Sequence, residues 1–179
     1  MIYRNHAGDK PIVHATATIH PSAVVIGNVQ IGEKVFVGPN AVIRADEPCP
    51  EGKVEAIVIE SEVNIQDGVI IHALGGSPVY IGKGVSLAHG AVIHGPCHIG
   101  GSCFVGFKSV VFKARIGEGV VIQHQALVEG VDIPNGMHVP SMAGVLAEAD
   151  VHALNPVTAE LSEFAEKVRK TNVFLAEVA

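Results

Sequence analysis

The sequence contains no tryptophan and only 4% aromatic residues, so a core built around a few large rings is excluded. Its three cysteines are an odd number and give no disulfide framework. Lys and Arg number 12 against 18 Asp and Glu, a net charge of −6 without a basic stripe. Nucleic acid calls for a basic face and is not an expected partner. No run of about 18 apolar residues occurs, and the opening MIYRNHAGDK has no apolar signal core. Neither membrane insertion nor secretion is therefore expected, which leaves a cytoplasmic location as the default.

What the chain has instead is a period of six. Large aliphatics stand at Val13, Ile19, Val25, Ile31, Val37 and Ile43, and Ala17, Ala23, Val29, Val35 and Ala41 lie four positions beyond them. The pattern resumes at Ile59, Ile65 and Ile71, then at Ile81, Leu87, Ile93, Ile99, Val105 and Val111, and a five-residue step resets it to Ile116, Ile122 and Val128. Neither an amphipathic helix nor a simple strand repeats at six; a short strand with its turns does. Gly32, Gly38, Gly82, Gly100, Gly106 and Gly117 follow directly after an aliphatic, where the backbone must be tight.

This pattern resembles the hexapeptide repeat of left-handed parallel β-helices, an all-β solenoid in which three hexapeptides make one triangular coil and the aliphatics point inward. The resemblance implies coils of 18 residues, about seven of them between residues 13 and 140. The expected organisation is a β-helix domain over 1–145, with an N-terminal lead-in, and a C-terminal helical extension over 146–179 packing on the prism. Asn155-Pro156 reads as an N-cap and first helical position, and Leu161, Phe164 and Val168 follow at helical spacing, so a helix is expected from about 156. Cys97 and Cys103 occupy small inward slots and read as buried thiols.

Two insertions interrupt the repeat. Ile43 to Ile59 is 16 residues instead of six, including Pro48-Cys49-Pro50-Glu51-Gly52, and Ile71 to Ile81 is 10, around Gly75-Gly76-Ser77-Pro78. Loops that break a solenoid without breaking its core commonly carry function. Removing the four-residue insertion from the separation of His72 and His94 turns 22 into 18, so the two stack in adjacent coils. His89, two residues after Leu87, belongs to the preceding face. If three prisms pack about a threefold axis, His89 of one copy can meet His72 and His94 of the next, and three imidazoles converge on a metal with a position left open. The remaining seven histidines read as surface residues. Arg44 falls in the His72 column and Asp67 in the His89 column, each one coil earlier, which predicts an Arg44–Asp67 pair across the same interface.

The runs Ile43-Arg44-Ala45-Asp46-Glu47, Asn64-Ile65-Gln66-Asp67-Gly68, Ile71-His72-Ala73-Leu74, Ser86-Leu87-Ala88-His89 and Val92-Ile93-His94-Gly95-Pro96 closely resemble the γ-class carbonic anhydrases. Gly106-Phe107, Val111-Phe112-Lys113 and, more weakly, Thr171 to Ala176 extend the likeness. It implies a homotrimer with metal ligands His72, His89 and His94, holding zinc or alternatively iron(II) or cobalt. The implied reaction is reversible hydration of CO2 to bicarbonate and a proton by metal-bound hydroxide. Gln66 would hold the hydroxide, Glu47 act as general base, and Asn172 orient CO2 or bicarbonate; Arg44 and Asp67 would organise the interface. The acidic shuttle loop of the family prototype is missing here. The insertion after Glu47 brings Glu51 and Glu55 instead, which are the candidates for an alternative proton exit. The competing readings are a non-catalytic metal-binding or scaffold homologue and a hexapeptide acyltransferase with a single histidine base.

Overall fold

The computed structural model describes residues 1–178, without the side chains of 172, 177 and 178. Asn172 falls within the C-terminal helix, and its expected contact with CO2 lies outside what is described. The chain is a left-handed parallel β-helix of hexapeptide repeats, about seven coils long, followed by a helix.

Each coil contributes one short strand to each of three faces. The first face stacks Ile2–Tyr3, Val24–Gly27, Val42–Ala45, Ile70–His72, the start of Val92–Ile99, the start of Val110–Ile116, Leu127–Glu129 and Gly144–Val145. The second runs from Ile12–Val13 through Val29–Ile31, Ile57–Ile59 and Val79–Ile81 to Asp132–Ile133. The third runs from Thr18–Ile19 through Phe36–Val37, Asn64–Ile65, Ser86–Leu87, Phe104–Val105 and Val121–Ile122 to Met137–Val139.

The aliphatics picked out by the period are the core. Val25, Ile43, Ile71, Ile93, Val111 and Val128 form one inward column, and all are fully buried. Ile59, Ile81, Ile99 and Ile116 form a second and Ile65, Leu87, Val105 and Ile122 a third, none more than 2% exposed. Burying one such side chain contributes about 1.5–3 kcal/mol, so stability is distributed along the stack and not held by a few residues. The five-residue step at Val111 persists: pairing of Val111 with Val128, Ile116 with Ile133 and Ile122 with Val139 gives later coils of 17 residues, and the repeat runs on to Val145. Gly82 shows why a glycine follows an inward aliphatic, because a Cβ there would stand 2.7 Å from the Gly101 nitrogen in the next coil. Cys97 and Cys103 are buried thiols, and burial pushes both up to about 12.

The C-terminal segment corrects one expectation. The helix does not start at 156: Asn155–Pro156 is an antiparallel strand on Met137–Val139, and Val157 donates its N–H to the Gly136 carbonyl at 2.8 Å. The last strand of the third face has an open edge, and satisfying it outweighs the helix-starting tendency of Asn-Pro. The helix runs Ala159–Val178, with Thr158 Oγ1 accepting the Leu161 N–H at 3.3 Å as its cap. Leu161, Ala165 and Val168 pack on Ala88, Phe104 and Val121 of the third face. A second, shorter helix, Glu148–His152, had no counterpart in the sequence reading; Asp150 holds its start by accepting from the Leu146 and Ala147 N–H groups. Among the described residues no helix is long and apolar enough to cross a membrane.

Candidate metal centre

The outward column of the first face begins with Tyr3, Ile26 and Arg44, passes His72 and His94, and ends on Phe112 and Glu129. His72 and His94 are direct register partners, as the repeat arithmetic requires. Their rings meet edge to face, centroids 4.9 Å apart, with Nδ1 of His72 3.1 Å from Nε2 of His94. Nδ1 of His94 lies 3.1 Å from the Gly95 carbonyl. A carbonyl only accepts, so Nδ1 carries the proton and Nε2 presents a lone pair toward His72. Phe112 packs edge-on against His94 at 5.1 Å.

Burial is the largest influence on His72 and lowers its pKa; Arg44 and His94 act in the same direction, while Glu47 and Asp46 oppose them. The imidazole is therefore neutral at neutral pH, which is the ligating form. Its Nε2 is buried and unpartnered, with Glu47 Oε1 at 3.3 Å, out of hydrogen-bond alignment, and Asp46 Oδ1 at 3.8 Å.

This donor set fits a divalent cation. Two nitrogens bound to one tetrahedral zinc at about 2.0–2.1 Å each stand roughly 3.3 Å apart, close to the 3.1 Å between Nδ1 of His72 and Nε2 of His94. A cation between them would displace a proton from Nδ1 of His72 to Nε2, where a carboxylate is at hand. Such carboxylate–histidine contacts are the usual second layer of metal sites.

His89 is elsewhere in the chain. It sits at the corner after Ser86–Leu87, with its side chain 54% exposed and its Nδ1 3.7 Å from Asp67 Oδ2. Among the described residues no three ligating side chains of one chain converge on a point. Arg44 and Asp67 are likewise apart: Arg44 pairs with Asp46 within its own strand region, Nη2 to Oδ1 at 3.1 Å.

Gln66 places its Oε1 in a buried position with no partner. Asn64, two residues earlier on the strand Asn64–Ile65, has no assigned role from the sequence, yet it is 1% exposed and neither side-chain polar atom is hydrogen-bonded. The available signal was its register: Asn64 stands in a column with Phe36, Ser86 and Phe104, where an amide among apolar neighbours is costly unless used. Asp46, the partner of Arg44, also drew no expectation.

The two insertions pack on each other beside the histidine column. The longer is a small hairpin closed by a Pro48–Val54 bridge, the shorter a turn closed by Leu74–Ser77. Gly75 is required at their contact, since a Cβ would stand 2.5 Å from the Pro48 carbonyl oxygen. Glu51 is fully exposed at the hairpin tip, and a hydrogen bond with Cys49 holds its carboxyl below the ordinary value. Glu55 pairs with Lys53 at 3.2 Å.

Comparison with known proteins gives a family. Residues 10–45 match the bacterial transferase hexapeptide family (six repeats). A carbonic anhydrase of Methanosarcina thermophila is 38% identical over 188 residues, spanning 93% of this chain and 74% of that protein. The carboxysome assembly protein CcmM of a Nostoc species is 37% identical over 166 residues, covering 87% of this chain but only 29% of the longer relative. The crystal structure of a hexapeptide transferase family protein from Anaplasma phagocytophilum superposes with a TM-score of 0.80 at 27% identity, covering 98% and 96% of the two chains. With its histidine column, its interrupted hexapeptide repeat and this likeness along most of its length, the chain belongs to the γ-class carbonic anhydrase family.

Proposed function

We propose that this protein is a carbonic anhydrase that hydrates CO2 reversibly to bicarbonate and a proton. Its centre is a divalent metal, zinc by donor type, held by His72 and His94 of one copy and His89 of the partner subunit in a homotrimer. The observation that carries this reading is the in-register pair of imidazoles with facing nitrogens 3.1 Å apart. The metal, when bound, would lower the pKa of a coordinated water to about 7 and so supply a nucleophile for the carbon of CO2 at neutral pH.

The chain's own groups do the rest. Gln66 orients the attacking oxygen through its side-chain amide, whose oxygen is buried and unpartnered, and Asn172 steers CO2 or bicarbonate. Glu47, beside His72 and 42% exposed, accepts the product proton and passes it to solvent. Glu51 and Glu55 extend that exit along the hairpin. Arg44 and Asp67 meet at the subunit boundary, Arg44 exchanging or sharing its bond with Asp46.

The trimer is supported by the first face, whose second outward column is Val24, Val42, Ile70, Val92, Val110 and Leu127. Ile70 and Leu127 are 42% and 37% exposed on one chain, and such a stripe calls for a partner. The kinship with carboxysome assembly proteins favours a second reading, a metal-binding assembly component without turnover. CO2 hydration by anaerobically purified, metal-assayed protein, beside a His89→Ala variant, separates the two. Hydration lost in the variant supports the enzyme; stoichiometric metal without hydration supports the assembly role, and absence of metal refutes the site.

A further inference from the structure

Among the described residues, His89 differs from the other two candidate ligands in having no hydrogen bond to hold its ring. It is more than half exposed, and Asp67 at 3.7 Å is beyond hydrogen-bond reach. A ligand free to rotate loses affinity to rotamer entropy, so a working site needs its imidazole held from outside the metal. Among the described residues its ring meets one other ring, that of Phe107, its centroid 5.5 Å away and tilted by 33°.

Phe107 is itself 42% exposed, and it is fixed in turn. Its ring lies flat on His124 at 4.3 Å and 10°, and its backbone N–H donates to His124 Nδ1 at 3.1 Å. His124 stands edge-on to Phe104 at 6.4 Å, and Phe104, 2% exposed, meets Phe164 of the C-terminal helix edge to face at 5.4 Å. His89, Phe107 and His124 each lie two residues after an inward aliphatic, Leu87, Val105 and Ile122, so the repeat itself stacks them on one corner. In a chain with six phenylalanines, three are committed to this line and a fourth, Phe112, to His94. Scattered surface aromatics would not concentrate on two candidate ligands.

We propose that Phe107, backed by His124 and through Phe104 by Phe164, is the positioning residue for His89, anchoring a ligand offered to the neighbouring subunit against the helix-covered face of its own. This rests on the reading of His89 as a ligand. The test uses the full-length trimer, its mass checked in solution, loaded with zinc for chelator competition and with cobalt(II) for its visible spectrum. Phe107→Ala should bind zinc about tenfold more weakly and alter the cobalt spectrum while the trimer persists. Phe107→Tyr, which keeps the ring, should restore both. His124→Ala, which removes the backing ring, should move affinity and spectrum the same way. Parent-like affinity and spectrum in Phe107→Ala would overturn this inference alone. A parent that binds neither metal would overturn the reading of His89, and this inference with it.

Discussion

The first and second faces of the prism are built from the same repeat around the same core, yet their outward positions follow opposite rules. On the second face the outward column runs Ile12, Gln30, Val58, Tyr80, His98, Arg115 and Asp132, polar at five of its seven positions. On the first face a full aliphatic column stands beside one that carries Arg44, His72 and His94. Each face also holds a histidine whose pKa burial lowers. His98 lies flat on Tyr80 at 4.7 Å with Arg115 depressing it further, whereas His72 faces a second imidazole and two carboxylates. A depressed histidine is thus not what marks the site. What marks it is a pair of in-register imidazoles with second-layer carboxylates, on a face that a partner has reason to cover.

Several experiments can break that contrast. The largest effect belongs to the ligands: His94→Ala should weaken metal binding by more than about a hundredfold, the upper range for loss of an outer-layer partner. His98→Ala should leave it unchanged, as measured by chelator competition. Next is assembly. Ile70→Glu puts a charge in the aliphatic column of the first face and should convert the trimer to monomers with release of metal, in sedimentation runs with metal analysis; Val58→Glu on the second face should remain trimeric. Equal behaviour of the two would remove the distinction between the faces.

A smaller effect is in pH. The His98 pKa is below its ordinary value in the folded chain, so above about 6.5 both folded and unfolded forms are neutral and nothing is gained or lost. As pH falls below that value the unfolded chain takes up the proton first, and stability declines. His98→Gln should flatten the fall in melting temperature between neutral and mildly acid pH. The smallest effect is expected at the hairpin: Glu51→Ala with Glu55→Ala should slow hydration a few-fold in dilute buffer and not in concentrated buffer. Unchanged turnover in dilute buffer would remove these carboxylates from the proton's path.

The core was legible because a strict period leaves little freedom: an aliphatic every sixth residue has one way to stack, subtracting the four-residue loop placed His72 on His94, and its place directly after the inward Ile43 put Arg44 in their column. Beyond the last coil the period gives out. There Asn155-Pro156 had the chemistry of a helix start but the position of an edge strand, and only the backbone groups of Met137–Val139 decide between them. Asn64 is a related case: its register marks an outward position in the column of Phe36 and Ser86, and its burial comes from the C-terminal helix that packs over the third face. Phe107 and His124 fall at turn positions that the sequence marks only as surface, and their stack emerges once the coils are superposed.

The proposed site needs two chains to hold its metal. Mixed trimers of His89→Ala and His94→Ala chains test it most directly, because each variant alone lacks a complete site. In a closed ring of three containing both variants, one boundary pairs an intact His72 and His94 with an intact His89. Unfolding and reassembling the two variants together should restore metal to one site in each mixed trimer, with hydration returning in proportion. Mixed trimers that form and still bind no metal would contradict it.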